Sequence, residues 1–311
     1  MKVTVILCSY NRCESLSKAL DSVALSTLPA SVQWEVLIVD NNSSDRTRSV
    51  AESYCSKYPR HFRYLFEAKQ GKSYALNSAI RAADADVLAF VDDDVIVEPT
   101  WLSNLVAPLK SGEWSGSGGR ILVDPGFRPP PWLQSCNKSI LAPLAVFDKG
   151  HEARELFEAP FGTNMAFRRE MFSKHGDFRT DLGPQPGSEI RDEDTEFGSR
   201  LLSRGERLWY EPSAVVFHAV PASRIRKTYF LRWWFDKARA EVRQYGTTDD
   251  SRWCIEGIPI RLFRRLLKWF VLSGVSIGES RRFHYKTKVW WLAGTICECH
   301  RRRKTPGKIS T

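Results

Sequence analysis

With 311 residues, 42% hydrophobic and 26% charged, the chain has a globular composition and enough length for a substantial core, which excludes a disordered or fibrous protein. Its formal charge of +10 is uneven: residues 224–311 carry 21 Lys and Arg against 7 Asp and Glu, which leaves residues 1–223 mildly acidic. That asymmetry points to an anionic partner for the last third, either a membrane surface or a polyanion.

The seven cysteines form no CxxC pair, so neither a zinc site nor a disulfide framework is expected. No uncharged apolar run reaches the roughly 18 residues that a transmembrane helix needs. The short apolar run after Met1 reads as a first strand rather than a signal peptide. A cytoplasmic protein, or one peripheral to the inner face of a membrane, is therefore expected.

Val3 to Leu7 predicts a strand that ends in the polar loop Ser9-Tyr10-Asn11-Arg12, and Glu14 to Leu25 has helical apolar spacing. Trp34 to Val39 predicts a second strand, ending in the turn-rich Asp40-Asn41-Asn42-Ser43-Ser44-Asp45, before a helix over Thr47 to Tyr58. Phe62 to Phe66 is a third strand, Gly71-Lys72-Ser73 opens a helix over Tyr74 to Ala83, and Val87 to Val91 is a fourth strand. Alternation of strand and helix gives βαβ units and a parallel sheet, whose ligands bind beyond the carboxyl ends of the strands. The three polar loops, Ser9–Arg12, Asp40–Asp45 and Asp92–Asp94, all fall at such ends.

A short helix is predicted from Pro99 to Leu109 and a strand over Gly118 to Val123. Residues 124–158, rich in Pro and charge, are expected to form a mobile loop over the site. Gly162 to Phe167 predicts a strand, Arg169 to Phe172 a helical turn and Asp181 to Arg191 a polar loop. Asp192-Glu193-Asp194 then opens a helix through Leu202, with acidic residues favoured in its first turn, and Leu208 to Phe217 contains a strand ending at His218.

The stretch Leu88-Ala89-Phe90-Val91-Asp92-Asp93-Asp94 sets the chemistry. A buried strand that stops at three consecutive carboxylates faces repulsion and desolvation, so a cation is expected there. Clustered carboxylates suit a hard divalent ion such as Mg²⁺ or Mn²⁺; a solvated acidic turn fits the same residues.

Ser9-Tyr10-Asn11-Arg12, Asp40 to Asp45, Phe90 to Asp94, Gly162-Thr163-Asn164-Met165 and Glu193-Asp194 together, in this order, resemble family 2 glycosyltransferases of the GT-A fold over roughly residues 1–235. The resemblance implies an α/β GT-A architecture, a Rossmann-like and mostly parallel sheet flanked by helices; residues 224–311 depart from that pattern, and their composition predicts a basic amphipathic helical extension. It also implies transfer of a sugar, mostly with inversion, from a nucleotide-diphospho-sugar donor to an acceptor hydroxyl. Under it, Ser9, Tyr10, Asn11, Asp40, Asn42, Lys72, Asp92, Asp93 and Asn164 bind the nucleotide-sugar. Asp92 and Asp94 form the Asp-x-Asp pair and, with His218, hold Mn²⁺ or Mg²⁺. Asp194 is the base, with Glu193 beside it. Lys72 also fits a solvated helix face and His218 a structural role, and Trp132 suits a sugar platform or a loop core.

The expected division is a nucleotide-sugar-binding and catalytic domain over 1–223 and a basic, aromatic-rich helical tail over 224–311. In the tail, Tyr229 to Phe235 and Ile260 to Ile277 mix Trp, Phe and Leu with Arg and Lys, and the apolar Val289-Trp290-Trp291-Leu292-Ala293 precedes Arg301 to Lys304. That mixture suits helices in the interface of an anionic membrane, although amphipathic helices packed on the catalytic domain have the same pattern. It lacks a nucleic-acid motif. A surface polysaccharide or lipid-linked acceptor follows from the membrane reading. Alternatives are a nucleotidyltransferase, which would release pyrophosphate, and a non-catalytic membrane module with the same fold.

Overall fold

The computed structural model describes residues 1–134, 138–188, 190–246, 253–255 and 258–304. The apolar runs of the N-terminal half become strands: β1 (Lys2–Ser9), α1 (Cys13–Ala24), β2 (Gln33–Asp40), α2 (Thr47–Lys57), β3 (Phe62–Phe66), α3 (Lys72–Ala82) and β4 (Val87–Asp92) follow in turn. Consecutive residues of β1, β2 and β4, such as Val5-Ile6-Leu7, Val36 to Val39 and Val87 to Val91, are all buried. Burial without alternation is what a parallel sheet covered on both faces requires.

The chain continues through β5 (Val95–Val97), α4 (Trp101–Val106), β6 (Gly116–Val123), α5 (Pro131–Gln134), β7 (Arg154–Leu156), β8 (Asn164–Arg168), α6 (Glu170–His175), α7 (Glu193–Ser203) and β9 (Leu208–His218). One mixed sheet has the order β3-β2-β1-β4-β8-β6-β9-β5, with β7 paired to β9. Strands β3, β2, β1 and β4 are mutually parallel, and β8 enters antiparallel to β4. An aromatic cluster of Phe90, Phe167, Phe172, Phe178 and Phe197 fills the core behind β4, with Phe172 and Phe197 stacked at 4.4 Å between centroids.

Residues 135–137 lie outside the described residues, and the described part of residues 124–158 carries more regular structure than its composition suggested. Besides α5 and β7 it holds a 3₁₀ segment, Lys138–Leu144, and an isolated bridge from Phe147 to Ile121. Phe147 and Leu156 are buried, so single apolar anchors fix a stretch whose Pro and charge content reads as loop.

The chain divides into two compact units: Met1–Phe127, Ala145–Pro186 and Glu193–Ala219 form the first; Arg128–Leu144, Gly187–Asp192 and Val220–Thr311 form the second. The second contains α8 (Lys227–Tyr245), a two-stranded ladder of β10 (Cys254–Ile255) and β11 (Ile258–Pro259), α9 (Ile260–Val275) and α10 (Glu279–Lys304). Glu298, fully buried on α10, is held by Arg239 and Arg243 from α8 and by Arg301. Trp132 packs edge-on against Phe230 and Phe283 at 5.3 and 5.2 Å, which makes it part of this unit's core. Among the described residues no helix is long and apolar enough to cross a membrane. Cys8, Cys13, Cys55, Cys254, Cys297 and Cys299 are free thiols, and Cys136 lies outside the described residues.

Candidate active site

Register brings the polar loops to one edge of the first unit. Ser9 pairs with Asp40 across β1 and β2, and Cys8 pairs with Asp92 across β1 and β4, so three chains leave the sheet at the same level. The loops are then tied to one another. Asn11, in the left-handed region at φ 51°, accepts the Ser44 amide at 2.7 Å. Asn42, also left-handed at φ 61°, donates to the Ala68 carbonyl at 3.1 Å. Asparagine adopts this conformation at less cost than other side chains. Asp40 is buried and accepts the Ser43 amide at 2.9 Å and the Tyr64 hydroxyl at 3.1 Å. Tyr10 stands exposed at the rim.

Two protein cations, Lys72 and Arg12, lie beside Asp92, Asp93 and Asp94. Lys72, the first residue of α3, donates to Asp92 Oδ1 at 2.7 Å and lies 3.4 Å from Glu193 Oε1. Thr163 holds the other Asp92 oxygen at 2.7 Å. Arg12 bridges Asp93 at 2.9 Å and Asp94 at 3.1 Å, while Ser9 donates to Asp93 at 2.6 Å. Both oxygens of Asp92 are thus engaged within the protein.

These contacts set the ionisation. Burial opposes the charge of Lys72, but Asp92, Glu193 and Asp194 outweigh it and hold the ammonium above its usual range. Burial likewise disfavours ionised Asp92, yet Lys72 pulls its carboxyl below the ordinary value. Burial pushes Asp93 up to about 6, with Asp94 adding to it against the pull of Arg12. Glu193 is raised to about 7, again by burial first, with Lys72 opposing and Asp194 adding.

Strand pairing puts His218 beside the acidic stretch. Val95 of β5 faces His218 of β9 in antiparallel register, and the imidazole Nε2 lies 3.5 Å from Asp94 Oδ1. Among the described residues no three His, Cys, Asp or Glu side chains form a metal cage. A hard cation that binds substrate phosphates keeps water and phosphate oxygens in most of its shell and needs only one or two protein ligands. Asp94 with His218 fits that requirement.

The helix α7 presents its first turn to the same recess. Glu193, Phe197 and Leu201 form a buried stripe at four-residue spacing, so packing of Phe197 into the aromatic core turns Glu193 inward. Asp194, half-buried, accepts the Gly162 amide at 2.5 Å and the Thr195 amide at 2.7 Å. A Cβ at Gly162 would lie 2.9 Å from the Asp194 carboxylate, so only glycine allows this approach. Lys72, Asp92, Gly162, Glu193, Asp194 and Cys8 line one narrow recess.

Of the residues singled out from sequence, Ser9, Lys72, Asp92, Asp93, Asp94, Glu193, Asp194 and His218 converge here, while Asn11, Asp40 and Asn42 build the adjoining loops. Asn164 departs from the expectation that it meets a nucleotide-sugar. It is fully buried, accepting from Trp101 Nε1 at 2.7 Å and donating to the Ala214 and Arg120 carbonyls at 2.8 and 3.0 Å. Its amide side chain locks strands together. Sequence reading singled out neither Arg12 nor Thr163 as a site residue, and no local signal ties either one to the acidic stretch.

Residues 4–176 match the family described as Glycosyl transferase family 2. The Succinoglycan biosynthesis protein ExoM of Rhizobium meliloti is 26% identical over 225 residues, spanning 72% of this chain and 69% of its own length. The Glucosyl-dolichyl phosphate glucuronosyltransferase of Haloferax volcanii is 26% identical over 230 residues, spanning 70% of this chain and 69% of its own. A solved structure of mannosyltransferase PcManGT from Pyrobaculum calidifontis, in complex with GDP-Man and Mn²⁺, superposes with a TM-score of 0.61 at 18% identity, covering 98% of this chain and 88% of that one.

Proposed function

The chain belongs to glycosyl transferase family 2 and has the GT-A fold, and from that premise we propose that it moves a sugar from a nucleotide-diphospho-sugar to an acceptor hydroxyl with inversion. The observation that carries the reading is the convergence of Asp94, Lys72 and Asp194 at the carboxyl edge of the sheet. In a single displacement the acceptor oxygen attacks the anomeric carbon as the bond to the diphosphate breaks. The acceptor proton passes to the Asp194 carboxylate, and the nucleoside diphosphate leaves with the bonding electrons. The Gly162 and Thr195 amides hold that carboxylate in place. Lys72 at the start of α3 and Arg12 supply positive charge toward the departing diphosphate. Asp94 and His218 are the residues that would hold Mn²⁺ or Mg²⁺, which when bound offsets charge on the diphosphate. The Mn²⁺ and nucleotide-sugar of the solved mannosyltransferase are in keeping with this assignment.

The likeness to a glucosyl-dolichyl phosphate glucuronosyltransferase and to a succinoglycan biosynthesis protein supports a lipid-linked or surface-polysaccharide acceptor. A membrane-interface role for the tail agrees with α9, where Leu267, Phe270, Val271 and Val275 are exposed alongside Arg261, Arg264, Arg265 and Lys268. Product analysis tests the reaction: a transferase releases nucleoside diphosphate from its donor, whereas release of pyrophosphate from a nucleoside triphosphate would make the chain a nucleotidyltransferase.

A further inference from the structure

The second unit holds a cavity to which none of the residues placed in the candidate active site contributes. Helical spacing builds it: Arg265 and Trp269 lie one turn apart on α9, His284 and Lys288 one turn apart on α10, and Trp291 follows at the next turn. Trp234 of α8 completes the wall, and the cavity, open at the side of the two cations, has a volume of about 160 Å³. At about 30 Å³ for each water in the liquid, such a space takes several waters or one phosphate group with the first carbons of an ester.

The lining is chemically one-sided. Two cations, Arg265 and Lys288, border it, and among the described residues no carboxylate lines it. The nearby Glu241 carboxylate is taken by the Trp291 indole N–H at 3.0 Å. Two polar atoms of the wall, Trp234 Nε1 and His284 Nδ1, are buried without a hydrogen-bond partner. A buried polar atom without a partner costs roughly 1–3 kcal/mol, so the Trp234 N–H calls for a ligand that accepts, and His284 Nδ1, a donor in one tautomer, for a polar partner. Three indoles supply apolar contact around the anionic head. On the same helix, Leu267, Phe270 and Val271 are exposed to solvent, an apolar surface next to the cations.

We infer that this cavity binds the phosphate of an apolar-chain phosphate ester, the head of a lipid-linked acceptor, with Arg265 and Lys288 neutralising the phosphate and Trp234 and His284 donating to its oxygens. A bare apolar ligand would leave the Trp234 N–H and His284 Nδ1 unmet, and neither it nor a stacked sugar would draw on the two cations at the cavity's border. The assignment extends the acceptor half of the proposed function and rests on it.

The test uses the full chain and three probes, farnesyl phosphate, farnesol and inorganic phosphate, read by tryptophan fluorescence. Saturable binding of farnesyl phosphate is expected, with farnesol and inorganic phosphate each weaker by about tenfold or more. An R265Q/K288Q double variant is expected to lose about tenfold or more in affinity for farnesyl phosphate. Trp234→Phe keeps an aromatic ring and removes the unmet donor, so it should weaken binding while leaving the melting temperature equal or higher. Equal binding of farnesol, equal binding of inorganic phosphate, or undiminished affinity in the double variant overturns the inference. The same samples are also melted with nucleotide-sugars. A misassigned pocket leaves that thermal shift intact, whereas failure of the transferase reading abolishes it in the parent as well.

Discussion

Replacing Lys72 with methionine removes the positive charge that the recess depends on. Its ammonium lies 2.7 Å from Asp92 and 3.4 Å from Glu193. Breaking a buried ion pair costs about 3–5 kcal/mol because the abandoned charge stays desolvated. Lys72 and Asp92 keep 25% and 24% of their side chains exposed, so solvent screening reduces the expected loss to about 2–3 kcal/mol at pH 8. The loss depends on pH in a defined direction. Glu193 is already raised to about 7 and, without Lys72 to oppose burial, rises further; Asp92 rises with it. A carboxyl raised in the folded state contributes stability that is full below its unfolded value and lost as pH climbs through the folded value. At pH 5 Glu193 takes up a proton and relieves the strain, so the deficit shrinks. Urea unfolding of parent and Lys72→Met at pH 5 and pH 8 measures it. A deficit that is equal at both values, or absent at pH 8, would refute the reasoning.

Glu193→Gln should flatten the pH dependence of stability between about pH 4.5, the unfolded value, and about pH 7, because the parent loses stability across that window as Glu193 ionises, and melting temperatures across pH check it. Asp194→Asn should lower turnover by about 10²–10⁴-fold while leaving donor-induced thermal stabilisation in place, since a general base acts on the acceptor proton; turnover close to the parent's would exclude Asp194 as the base. Replacing Leu267 and Phe270, each 64% exposed, with serine should abolish cosedimentation with anionic vesicles without shifting the melting temperature. Retained cosedimentation would mean that α9 makes no membrane contact.

Much of the first unit was legible because local pattern and tertiary role coincide. Runs such as Val36 to Val39 and Val87 to Val91 are apolar without alternation, which only a strand covered on both faces tolerates. Each such run stops at Asn, Asp or Ser, so the edge that gathers the polar loops was visible before any coordinates. Long-range partners were not visible. Arg12 reaches Asp93 across 81 positions, and nothing in either segment names the other. The sequence reading looked to a divalent ion to offset Asp92–Asp94, whereas Lys72 and Arg12 supply positive charge there from within the chain. Asn164 stands in a polar motif and still points into the core, because Trp101, Ala214 and Arg120 offer it three partners there. Residues 124–158 hid their order for a similar reason: Phe147 finds its bridge at Ile121, outside the segment.

The most direct measurement of the central claim is a thermal-shift screen of the purified chain against nucleotide-sugars with Mn²⁺ or Mg²⁺. A ligand that binds only the folded state raises the melting temperature by mass action. The account predicts stabilisation by one nucleotide-sugar that disappears with chelator and in Asp94→Ala. Stabilisation that persists in chelator and in Asp94→Ala would contradict the metal assignment, and no stabilisation by any nucleotide-sugar would contradict donor binding itself.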